Sequence, residues 1–105
     1  MKKLKKKREP KNVFGELGFS PEESYVLSLK AQLAAIIVKA VHKQELSQKQ
    51  LAKLWHVPQP RVSEVMTGKL TVISIDRLVE FLGLLGVEVL VKAKFSPKSI
   101  GRKAS

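Results

Sequence analysis

The chain has 105 residues, of which 44% are hydrophobic and 28% charged, enough for one domain with a real core. It has no cysteine, which excludes disulfides, thiolate metal sites and thiol catalysis. The net charge is +11, and it sits at the ends: residues 1–11 sum to +6, residues 92–105 to +5, and residues 12–91 carry eight charges of each sign.

A neutral body between two cationic arms is a frequent footprint of nucleic-acid binding, with solubilising tails as the bland alternative. The two histidines, His42 and His56, have no carboxylate or thiol cluster, so no metal and no cofactor is expected. No uninterrupted apolar run reaches the ~18 residues of a membrane span. The cationic start lacks the apolar segment that a signal peptide needs. The expectation is a cytoplasmic protein without a membrane partner.

Residues 1–12 show no apolar periodicity and read as a disordered basic arm. In "NVFGELGFSPEE" the apolar Val13, Phe14, Leu17 and Phe19 suggest a short turn or loop. Ser20-Pro21-Glu22-Glu23 is a helix start, with a capping serine, proline at the first position and acids in the first turn. That helix runs to about Lys43, with an apolar stripe of Val26, Leu29, Leu33, Ile36, Ile37 and Ala40. Lys39 and Lys43 suit the negative end of its dipole.

Ser47 with Gln50 forms a capping box and opens a second helix, Gln48–Trp55. His56-Val57 interrupts the pattern. A third helix covers Gln59–Met66 and ends at Gly68. Pro58 falls outside this helix and biases Val57 toward an extended conformation. Pro60 falls in the first turn, where backbone N–H groups lack helical partners anyway. Ser74 caps a fourth helix with the stripe Ile75, Leu78, Val79, Leu82 and Leu85, ended by Gly86. Gly83 inside it costs about 1 kcal/mol against alanine, which a close helix crossing would explain.

"VEVLVKAKF", residues 87–95, alternates in the manner of a strand. No second strand of comparable strength exists, so its partner is either Asn12–Phe14 or the same strand of a second chain. Residues 96–105 read as a disordered basic tail. The folded domain is therefore 13–95.

Residues 48–67 carry the functional signal. Leu51 and Trp55 face inward from one short helix, Val62 and Val65 from the next. Ala52 suits a tight crossing and Val57 plugs the turn. This is a helix-turn-helix pattern whose polar second helix is free to enter a DNA major groove. The stretch resembles the lambda-repressor-like, Cro/Xre-type helix-turn-helix family, through Gln48, Ala52, Val57 and "QPRVS" followed by Gly68. Within it the chain is most similar to small HigA-like antitoxins and their solitary relatives. The resemblance covers roughly residues 12–92. It implies a mainly α bundle of four to five helices, with the C-terminal strand used in dimerisation. Two positions depart from the family pattern: His56 replaces the turn glycine, and Pro58 replaces the Ser/Thr cap of the recognition helix.

Wheel geometry, with Val62 and Val65 inward, points Pro60, Ser63, Glu64 and Thr67 outward. Gln59 projects from the helix front and is expected to read a base edge, most readily adenine through its amide. Ser63, Glu64 and Pro60 complete the base-reading set. Glu64 as a cytosine acceptor competes with a surface pair to Arg61. Gln48, Arg61, Thr67 and Lys69 are expected to hold phosphates.

The implied function is a transcriptional regulator that binds double-stranded operator DNA as a homodimer. The alternative is an antitoxin with a ribonuclease toxin as its partner. The chain contains no nucleophile–base set, phosphate-cradling glycine loop or metal cluster, so an enzyme is not expected.

Overall fold

A computed structural model of the protein describes the backbone of residues 12–95, and the side chains from Phe14 onward. The arm and tail expected at either end lie outside the described residues, except for Asn12. Among the described residues the order is α1 (Asn12–Glu16), α2 (Pro21–Gln44), α3 (Gln48–Trp55), α4 (Gln59–Met66), a 3-10 turn (Leu70–Val72) and α5 (Ile75–Leu84). Every regular element among the described residues is helical. Residues 29–91 form one compact unit, and the described stretches on either side, 12–28 and 92–95, belong to a second.

Within the flanking unit, the expected loop at 12–19 begins instead with the short helix α1. Phe14 meets Phe19 edge to face at 6.5 Å, which accounts for two of the apolar residues there, whereas Leu17 is exposed. Ser20 and Glu23 form a capping box at the start of α2: the Glu23 N–H donates to Ser20 Oγ at 3.1 Å, and the Ser20 N–H to Glu23 Oε1 at 2.8 Å.

The buried face of α2 differs from the expected stripe. Leu27, Ala34, Ile37 and Val41 are buried, whereas Val26 and Ile36 are 39% and 44% exposed. Both sets obey three- and four-residue spacing. This helix is apolar over more than one stripe, so periodicity alone does not choose the core face. By length and composition α2 is also apolar enough to cross a membrane, which corrects the reading based on uninterrupted runs. Lys30 and Lys39 interrupt the run without making the helix polar. The core supplies a reason for the apolar content, because Ile37 and Val41 lie in its main cluster.

The five α-helices among the described residues end in the same way. A residue two or three positions beyond each helix returns its N–H to a carbonyl five positions back: Phe19 to Phe14, Leu46 to Val41, Val57 to Ala52, Lys69 to Glu64 and Val87 to Leu82, at 2.9–3.2 Å. The residue before it has positive φ in every case. Gly18, Gly68 and Gly86 fill three of these positions, but Glu45 (φ 56°) and His56 (φ 59°) fill the other two. His56, which replaces the turn glycine, adopts the left-handed conformation that glycine would take there, and a second instance occurs at Glu45 without any sequence signal.

The core of the 29–91 unit joins Ile37 and Val41 of α2, Leu51 and Trp55 of α3, Val62 and Val65 of α4, Ile73, and Leu78, Phe81, Leu82 and Leu85 at and after α5. Trp55 stacks on Phe81 with ring centroids 4.2 Å apart and planes 18° from parallel. Such a pair adds about 0.5–1.5 kcal/mol beyond its buried area. Trp55 is therefore a core residue.

Residues 87–95 are not a strand in the single chain. Asn12–Phe14, the partner considered within the chain, is helical and cannot pair with them. Strand geometry is completed by a neighbouring ladder, and none is present among the described residues. Gly83 is likewise not explained within the chain: a Cβ there would meet nothing within 4 Å.

Candidate nucleic-acid interface

The site grows from two short helices locked at both ends. Ser47 Oγ accepts the Gln50 N–H at 3.1 Å, and Gln50 Oε1 accepts the Ser47 N–H at 2.8 Å. Gln48 and Lys49 are thereby held, exposed, at the start of α3. His56 in the left-handed region turns the chain sharply, and Val57 packs on the core.

Pro58 then caps α4 in an extended conformation, φ −67° and ψ 153°, with no side-chain cap bond. Its carbonyl accepts from Arg61 N–H at 3.0 Å and Val62 N–H at 3.4 Å, so the first turn is closed by backbone alone. Pro60 occupies a position whose N–H would have no helical acceptor. The prolines thus stiffen the start of α4 without breaking it.

Val62 and Val65 are buried and fix the rotation of α4. Gln59, Pro60 and Thr67 are exposed, as are Gly68 and Lys69 beyond the helix. Ser63 and Glu64 are half-buried, less outward than the wheel alone suggests.

Glu64 Oε1 pairs with Arg61 Nη1 at 3.0 Å, the surface pair weighed against base reading. Arg61 Nη1 also donates to the Val72 carbonyl at 3.3 Å. An exposed pair of this kind contributes only ~0–1 kcal/mol, so a phosphate or base could displace it. Thr67 Oγ1 donates its proton to the Ser63 carbonyl at 2.7 Å. That proton is committed to the helix end, and Thr67 offers an approaching phosphate mainly its lone pairs.

Of two further cationic side chains, Lys30 holds the segment behind α4 and Arg77 braces α5. Half-buried Lys30 reaches from α2 to donate to the Leu70 carbonyl at 2.9 Å. Arg77 stacks over the Phe81 ring, 4.9 Å from its centroid, and pairs with Glu80 at 2.7 Å. Arg61, Val72, Ile73, Ser74, Arg77 and Phe81 line a cavity of about 220 Å³. The Ser74 hydroxyl, then the backbone N–H groups at the start of α5, hold the exposed Asp76 carboxyl below its ordinary pKa. Sequence reasoning missed Lys30 and Arg77 as supports. Lys30 lies three and four residues from Leu27 and Ala34, on the buried face of α2, where a lysine extends its ammonium to an acceptor; periodicity does not mark that face, so the sequence carries no usable signal for this contact.

A family model described as a helix-turn-helix domain matches residues 13–94. No curated protein matches. A solved structure assigned to the XRE family of transcriptional regulators superposes with a TM-score of 0.66 at 26% identity, covering 75% of this chain and 89% of that one.

Proposed function

The chain belongs to the helix-turn-helix domain family, of the Cro/Xre type, and on that premise we propose that it is a sequence-specific DNA-binding transcriptional regulator that docks α4 in the major groove of operator DNA. The observation that carries this reading is the locked pair α3–α4. A side-chain capping box starts it, backbone bonds close its turn and the ends of α4, Val62 and Val65 are buried, and Gln59 and Pro60 stand exposed at the front of the second helix. A short helix held this rigidly presents few side chains in a fixed register, as base reading requires.

Gln59 is the principal base reader, with Pro60 beside it for apolar contact. Ser63 follows, and Glu64 reads a base only when it releases Arg61. Gln48 and Lys69 hold phosphates at the two ends of the motif, with Arg61 and Thr67 as secondary contacts. One unit reads too few base pairs for operator specificity, so the regulator binds as a homodimer on paired half-sites about one helical turn apart. The cationic arms add sequence-independent attraction to the DNA backbone. No catalytic step is assigned to the chain, and it acts in the cytoplasm.

Selection of bound duplexes from a random DNA pool tests this. The expected product is a palindrome with two half-sites about one turn apart. Recovery of no common sequence, with affinity set by salt alone, would contradict sequence-specific reading. Deletion of residues 1–11 should weaken binding to all sequences alike and lower the slope of log affinity against log salt.

A further inference from the structure

Residues 87–95 extend from α5 without a ladder partner among the described residues, and their sequence specifies how a second copy fits. The odd positions are Val87, Val89, Val91 and Ala93; the even ones are Glu88, Leu90, Lys92 and Lys94. Val87 and Val89 pack partly against the core. Leu90 and Val91 are 82% and 89% exposed. The first three residues of this segment are thus anchored through Val87 and Val89, and the apolar residues that follow are uncovered.

A two-fold axis crossing a pair of such segments makes them antiparallel, and each residue then faces one whose number gives a constant sum with its own. Registers centred on a residue keep the valine positions opposite one another. Centring on Glu88 or Lys92 sets like charges face to face, which destabilises a ribbon. Centring on Val89 leaves Glu88 opposite Leu90 with no charge partner. A Val91 centre pairs Glu88 with Lys94 but sets Lys92 against the exposed Leu90. Only a Leu90 centre pairs Glu88 with Lys92 twice, Val89 with Val91 twice, and Leu90 with its own copy.

We propose that a second copy of this chain docks on residues 87–93 as an antiparallel ribbon centred on Leu90, with Glu88 of each chain opposite Lys92 of the other. This rests on the homodimer reading above and adds its register. In it, each exposed Val91 gains cover from the other chain's Val89, which already packs on its own core. The charge pairing makes the segment complementary to itself, so the occupant is a second copy and not an unrelated apolar partner.

The absence of any native cysteine makes the test direct. Leu90→Cys, Val89→Cys and Val91→Cys are prepared in the full chain and treated with an added mild oxidant, and linked dimers are read on non-reducing gels. Leu90→Cys should link most of the chain. Val89→Cys and Val91→Cys should link poorly alone but readily when mixed, since facing pairs in a ribbon lie within disulfide reach. Glu88→Lys or Lys92→Glu should each weaken dimerisation by roughly tenfold in sedimentation, and the combined swap should restore it.

All of these side chains but the half-buried Val89 are exposed, and unchanged circular dichroism will show that the variants fold. Strongest linking by Val89→Cys or Val91→Cys alone would overturn the register, as would no linking by any variant while the wild type sediments as a dimer. A wild type that stays monomeric at every concentration would overturn the homodimer reading itself.

Discussion

Residues 47–68 satisfy their backbone locally, whereas residues 88–95 make no turn or cap bonds among the described residues. In the first stretch a capping box starts α3, His56 and Val57 close it, the Pro58 carbonyl starts α4, and Gly68 and Lys69 close that. In the second, the last such bond is the Val87 N–H to the Leu82 carbonyl at 2.9 Å, which belongs to the end of α5. A helix pair can be completed by its own neighbours in sequence. An extended segment can be completed only by another strand. The part that faces DNA under our proposal is therefore fixed within one chain, and the part that would fix the dimer waits for a second.

The largest expected effect tests the self-contained side. Trp55→Ala removes the ring stacked on Phe81 and should cost about 3–5 kcal/mol in denaturant unfolding. A loss below about 1 kcal/mol would show that α3 and α4 do not depend on this contact. Ser47→Ala removes the cap of α3 and should cost about 1 kcal/mol, read as a shifted denaturation midpoint with unchanged slope.

His56→Gly should act in the opposite direction. A non-glycine residue in the left-handed region costs roughly 1–2 kcal/mol, and glycine's extra freedom in the unfolded chain returns up to about 1 of that. The expected net gain is about 0.5–1 kcal/mol. The smallest effect belongs to the incomplete side. Leu90→Ala should change stability by less than about 0.5 kcal/mol in dilute protein, because the side chain is mostly exposed. Its effect on the melting midpoint should grow with protein concentration, as linkage to dimerisation requires. A large effect independent of concentration would mean that the segment is completed within its own chain.

The same contrast explains what was legible in the sequence. The bounds of α3 and α4 were readable to the residue, because Ser47, Gln50, Pro58 and Gly68 mark them locally. The end of α2 was readable to within one residue even though Glu45, which turns the chain there, carries no glycine signal. Its core face was not readable, since Val26 and Ile36 satisfy the same spacing as Leu27, Ala34 and Ile37. The alternation of 87–95 reports a tendency to pair, and a tendency does not supply the partner.

At the site, burial of Val62 and Val65 was legible from helical period, and so was the option of an Arg61–Glu64 pair. The support of Leu70 and Val72 by Lys30 and Arg61 was not. Those bonds span 40 and 11 positions, and no local pattern encodes them.

The most direct test of the central claim measures binding of wild-type protein and Gln59→Ala to the selected operator and to each single-base variant of one half-site. Gln59→Ala should lose about 1–3 kcal/mol of discrimination at one base position, with discrimination elsewhere and the salt slope unchanged. Equal loss of affinity for every sequence would contradict it, because Gln59 would then be holding the DNA backbone and not reading a base.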